Sequence, residues 1–228
     1  MAIRFNAGAD YLNLGQAPNY NAAYTVMAWV RPQALASWGA FWCIGTDAAA
    51  IRPVDFIGHT DSPTYAFGAN TDSTYQNLDG GTPATGTWVH VTLVRTSTTA
   101  AVMYVNSTST VINNNSVAGR SSATEFLVGN SYSGSSDPFN GDIAYLRAWT
   151  TTLTTGEITA ESTSATAVKT TSLYGDWPLV DDANDVSGNS RNFTAHGTLD
   201  YITGPTMGSG EISGAADLTW GALTLGAT

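Results

Sequence analysis

The chain has 228 residues and 43% hydrophobic content, enough for one large domain with a buried core, and this excludes a disordered protein. Charged residues are only 11%, against roughly 25% in an average domain, and 18 acids face 8 Lys and Arg for a formal net charge of −10. Such a field repels phosphate backbones and anionic lipid, which excludes nucleic acid and membrane surfaces as partners.

The start, MAIRFNAGADYLNL, has no apolar h-region and does not read as a secretory signal. Strands are expected at Ala2–Phe5, Tyr11–Leu14 and Tyr24–Arg31. The third, YTVMAWVR, alternates two apolar sets and suits the centre of a sheet, and Pro32 ends it because proline cannot donate to a ladder. Residues 33–87 are less regular, with short strands expected at Phe41–Ile44, Phe56–Gly58 and Tyr65–Phe67 between turns. Cys43 is the single cysteine, which excludes an intrachain disulfide, and FWCI around it reads as a buried strand. Trp42 and Phe67 read as core residues. Trp38 and Tyr75 sit in polar stretches and serve either as core packing or as a platform for a sugar ring. Residues 88–112 read as a hairpin, with Trp88–Arg95 pairing with Met103–Asn106. His90 in the first arm has no acid or nucleophile at a suggestive spacing and reads as structural.

A further strand is expected at Glu125–Gly129. The segment 139–161 then specifies a strand, a connection and a helix near 154–162. Ile143, Tyr145, Arg147 and Trp149 alternate with Ala144, Leu146 and Ala148. Thr154 and Glu157 stand at capping-box spacing, and Leu153 and Ile158 stand at the positions of a hydrophobic staple. Strands at Tyr174–Leu179, near the N-terminal strands, and at His196–Leu199 complete the domain at residue 205. Residues 206–228 form a Gly/Ala/Thr-rich tail that acts as an assembly arm or as a flexible end.

Four motifs resemble those of laminin-G-like, concanavalin A-like lectin domains. YTVMAWV at 24–30 is similar to the family's F-T-x-x-x-W-V strand. WVHVTLV at 88–94 and MYVN at 103–106 resemble W-x-H-V-A-x-V followed by L-Y-V-N-G, with Ser107 replacing the glycine. Gly141–Leu146 before Leu153-Thr154 and Glu157-Ile158 resembles the closing segment usually written G-x-I-D-E-V, without the acid after Ile143. Trp177-Pro178-Leu179 and Asp185–Asn189 resemble the W-P-L and D-x-S-G-N element, which opens the domain in many relatives and here follows the other strands. The resemblance spans residues 1–205 and implies an all-β jelly-roll sandwich. It also implies a structural Ca²⁺ held by Asp185 and the backbone around Asn189, with Asp142 as a partner at the sandwich edge. The other reading of this loop is an Asx-turn held by its own side chains.

A glucanase of this family needs a strand of spaced carboxylates; Glu157-Ile158-Thr159-Ala160-Glu161 lacks the middle acid and lies on the expected helix. The expectation is therefore a non-enzymatic protein of a bacteriophage virion surface: a capsid decoration, fibre or tail component. Its tail resembles the low-complexity ends of phage structural proteins. Its partners would be other virion proteins, host-surface glycans and further copies of itself. The alternative is a bacterial carbohydrate-binding module or lectin, extracellular or at the cell surface.

Overall fold

The computed structural model describes residues 1–19, 22–35, 38–44, 55–59, 67–71, 74–77, 82–97, 100–106, 108–112, 125–131 and 136–207. Its strands are β1 (Ala2–Asn6), β2 (Tyr11–Asn13), β3 (Tyr24–Pro32), β4 (Gly39–Ile44), β5 (Asp55–His59), β6 (Phe67–Thr71), β7 (Thr74–Asn77) and β8 (Val89–Ser97). There follow β9 (Ala100–Val105), β10 (Thr108–Ile112), β11 (Phe126–Val128), β12 (Asn140–Trp149), helix α1 (Thr155–Ser162), β13 (Leu173–Trp177), β14 (Thr194–His196) and β15 (Asp200–Ile202). The expected hairpin at 88–112 gains a third strand, β10. The single strand expected at His196–Leu199 is two, one in each sheet. Among the described residues no helix is long and apolar enough to cross a membrane.

Two antiparallel sheets face each other. One runs β10-β9-β8-β3-β12-β1-β15, with β13 also on β12; the other runs β14-β2-β11-β4-β5-β6-β7. The alternation of β3 explains its central place: Val26, Ala28 and Val30 enter the core between the sheets, while Met27 packs on the outer face. Trp42 and Phe67 lie in the core, and so do Phe126, Trp177 and Phe193, which meet edge-on. This is the all-β sandwich with one short helix that the motifs imply.

β12 is where simple alternation fails. Tyr145 adopts φ 50°, and the register against β3 shifts between Ala144 and Arg147. Ile143 and Leu146 therefore both face the core, and Arg147 and Trp149 both face outward. The bulge also divides the neighbouring edge. β1 pairs with Asn140–Ile143 and β13 with Leu146–Trp149, while the Tyr145 N–H donates to the Pro178 carbonyl. β13 thus extends the line of β1 and pairs with β12.

An eight-residue helix is too short to persist alone in water. α1 is held by its capping box, in which the Glu157 N–H donates to Thr154 Oγ1 (3.3 Å) and the Thr154 N–H donates to Glu157 Oε2 (2.8 Å). Leu153 and Ile158 pack with Met27, Val94 and Trp149 on the outer face of the larger sheet. Beside them Arg147 is buried with Nε on Asp176 Oδ1 and Nη1 on Glu161 Oε2, both at 3.0 Å. The helix covers the Trp149 end of that face. No described helix covers the Asp142 end, where the Arg4 and Arg31 side chains are 34% and 22% exposed.

Candidate functional site

The outer face of the smaller sheet carries a cleft of about 180 Å³, lined by Asn13, Leu14, Gly15, Thr194 and His196. Its construction follows from alternation. Leu12 points into the core, so Tyr11 and Asn13 point outward. β14 sets His196 opposite Tyr11 and Thr194 opposite Asn13. The Tyr11 and His196 rings stack with centroids 4.2 Å apart and planes 2° from parallel. Tyr11 also packs on an outward apolar patch of Ala40, Cys43 and Leu127. Asn13 is held at both ends: its Oδ1 accepts from the Gly15 N–H (2.7 Å) and its Nδ2 donates to Glu125 Oε1 (3.2 Å). Gly15 makes that turn at φ +67°, a conformation suited to glycine. A carboxamide with one oxygen lone pair and one N–H still available, next to a threonine hydroxyl and an imidazole, is equipped to bind vicinal hydroxyl groups.

The sequence-derived candidates take different places. Trp38 is half-buried against the same Ala40–Cys43–Leu127 patch, which puts it on the same sheet face as Tyr11. Tyr75 lies in β7, paired with Asn70, and not in a loop; its side chain is outside the described residues. Cys43 is buried, and burial, together with the charge of Asp137, raises its thiol pKa well above the ordinary range. His90 is buried against Trp29, with Thr92 Oγ1 3.5 Å from its Nδ1. Burial, together with the Arg147 charge, lowers its pKa to about 3. It is a neutral structural side chain.

The residues proposed for calcium do other work. Asp185 Oδ1 accepts from the Asp176 and Ser187 N–H groups, and Oδ2 accepts from the Arg191 N–H. Burial alone would raise the Asp185 pKa; the hydrogen bonds from Ser187, Asp176 and Arg191 outweigh it and hold the pKa below the usual carboxylate range. Asn189 Nδ2 donates to the Leu173 and Tyr174 carbonyls, tying the loop to β13. Asp142 is not at the sandwich edge; it lies between β1 and β3, with its oxygens taken by Arg4, Arg31 and Gln33. Among the described residues no group of three or more His, Cys, Asp or Glu is placed to hold a metal. The Asp185 and Asp142 carboxylates thus sit on different elements, each engaged by protein donors.

Comparison with known proteins gives the fold its family. The profile of the concanavalin A-like lectin/glucanases superfamily, in its laminin-G form, matches residues 6–159. The chain belongs to this superfamily. No curated protein matches it. Among solved structures, this concanavalin A-like domain is similar to a candidate carbohydrate-binding protein of Bacteroides ovatus, at TM-score 0.61 and 16% identity, over 90% of this chain and 61% of that one. It is also similar to a heptameric SAP-like pentraxin of Limulus polyphemus, at TM-score 0.60 and 15% identity, over 87% and 93%. A Trypanosoma rangeli sialidase solved with sialic acid matches at TM-score 0.51 and 14% identity, over 61% of this chain and 22% of that one. The domain thus spans 61% of the Bacteroides protein and about a fifth of the sialidase. At these identities the likeness is one of fold.

The cleft residues were not singled out from the sequence. The alternation Tyr11-Leu12-Asn13 is a readable signal that two polar-capable side chains share a face. Their partners Thr194 and His196 lie about 180 residues away, and only strand pairing joins them.

Proposed function

We propose that this concanavalin A-like domain binds neutral glycans at the β2–β14 cleft and does not cleave them. The observation that carries the reading is one small cleft lined by the Asn13 carboxamide, the Thr194 hydroxyl and the His196 ring, with Tyr11 stacked on His196 on the same sheet face. Sugar recognition combines a ring surface with a few fixed polar groups. The cleft is below the 300–1,000 Å³ of drug-sized sites, so it suits a single sugar ring and millimolar affinity. Hydrolysis would require two carboxyls about 5–10 Å apart across the scissile bond. The lining of the cleft, Asn13, Leu14, Gly15, Thr194 and His196, supplies no carboxyl group.

The binding reading is compatible with a place on a virion surface or on a cell exterior, where weak sites gain strength by multiplicity. The support for a surface setting is compositional: a Ser/Thr/Asn-rich, low-charge, acidic chain. Virion partners and self-assembly belong to the same proposal. Their test is the solution mass by light scattering: a closed oligomer supports assembly, and a monomer removes it.

The site is tested by NMR titration with a panel of neutral oligosaccharides. Binding should perturb β2 and β14 and be abolished by both Asn13→Ala and His196→Ala in folded protein. Failure of the whole panel to bind, or full binding by both variants, would discard the cleft.

A further inference from the structure

On the opposite side of the sandwich, the Asp142 end of the larger sheet carries a second binding geometry. Arg4 of β1 and Arg31 of β3 both stand in register with Asp142 of β12, one on each side. Trp88 precedes Val89, the register partner of Val30, so it continues the same row. The order across four neighbouring strands is guanidinium, carboxylate, guanidinium, indole.

Asp142 cannot itself meet a ligand. It is fully buried, and its Oδ1 accepts from Arg4 Nε (2.8 Å). Its Oδ2 accepts from Arg4 Nη2 (3.2 Å), Arg31 Nε (2.7 Å) and Gln33 Nε2 (2.8 Å). Its effect is to fix two guanidinium groups side by side. Arg31 spends Nε on Asp142, and neither of its terminal nitrogens hydrogen-bonds to a described residue. The Arg31 guanidinium carbon lies 4.7 Å from the centroid of the half-buried Trp88 ring. A guanidinium held through Nε and stacked on an indole presents its terminal N–H pair as a preorganised fork, the geometry that takes a carboxylate at two points.

The other described cations are committed elsewhere. Arg95 and Arg147 are buried, Lys169 pairs with Glu157, and Arg191 lies over Tyr174 with Nη1 on its carbonyl. In a chain of net charge −10, two adjoining half-exposed guanidiniums beside an indole form an unusual shelf.

We propose that this shelf binds an acidic sugar of the uronic acid class, with Arg31 taking the carboxylate and Trp88 the ring face. It is a separate site from the cleft and stands on different residues. The test uses digalacturonate, its dimethyl ester and acetate as probes at low salt, followed by tryptophan fluorescence and calorimetry. The acid should bind and quench fluorescence, and added salt should weaken it. The ester should bind about tenfold more weakly, because the fork then meets no charge. Acetate should bind more weakly than the digalacturonate, because it lacks the ring. Arg31→Lys keeps a cation for Asp142 but loses the planar fork; it should weaken binding at least fivefold. Trp88→Ala leaves the Asp142 cluster intact and should do the same, so a folding defect in one variant leaves the other decisive. Asn13→Ala should leave acid binding unchanged. No binding of the acid, equal binding of acid and ester, acetate matching the acid, or full affinity in a folded Arg31→Lys or Trp88→Ala protein would overturn the assignment. Loss of acid binding in Asn13→Ala would move it to the cleft and also overturn it.

Discussion

Acidification should drain stability from this fold through His90. The side chain is buried on the outer face of β8 against Trp29, and its pKa is lowered from 6.5 to about 3, first by burial and then by the charge of Arg147. The folded chain therefore keeps the imidazole neutral at every pH above about 3, whereas the unfolded chain takes up a proton near 6.5. The contribution is complete above pH 6.5 and is lost as pH falls from there toward 3. At pH 4.5, two units below the unfolded value, the loss is on the order of 3 kcal/mol. Against a total of about 5–15 kcal/mol, that is a large fraction. His90→Gln removes the titration and leaves the backbone N–H of residue 90 on Asn106 Oδ1, a 3.1 Å bond independent of the ring. Urea unfolding of both proteins from pH 7.5 to 4.5 gives the comparison, in which other titrating groups cancel. The variant should start less stable, from lost packing, and fall less steeply by about 2–3 kcal/mol over the range. Parallel profiles would refute the claim that the folded site excludes the proton.

Two further outcomes follow from the hydrogen-bonded carboxylates. Asp185→Ala removes the acceptor for three backbone N–H groups and should lower the melting temperature by about 5 °C. The drop should be equal in calcium and in chelator; a drop confined to calcium buffer would assign the loop to a metal. Arg147→Met leaves Glu161 and Asp176 buried without their cation and should cost about 3–5 kcal/mol by urea unfolding. A cost below about 1 kcal/mol would mean that both carboxylates reach water in the variant.

The helix was legible to the residue because its signals are local. Thr154, Glu157, Leu153 and Ile158 interact within a single turn, and the structure uses all four as their spacing implies. The central strands β3 and β8 were legible for the same reason, since a period of two is a property of the segment itself. Tyr75 was misplaced because its stretch is short and polar, and only the pairing of β7 with β6 makes it a strand. The facing of β12 was half legible: alternation assigns Ile143 and Arg147 to one side, and the bulge at Tyr145 separates them.

The sequence by itself determined the class of element, the family motifs, the short helix and part of the core, because these rest on propensity, capping and periodicity over a few residues. Tertiary structure decided which polar groups meet. Asp142 lies between Arg4 and Arg31 from 138 and 111 residues away, and the cleft joins residues 11–15 to residues 194–196. Neighbours across a sheet are set by strand order and register, and in a sandwich of such long-range pairings no local pattern encodes them.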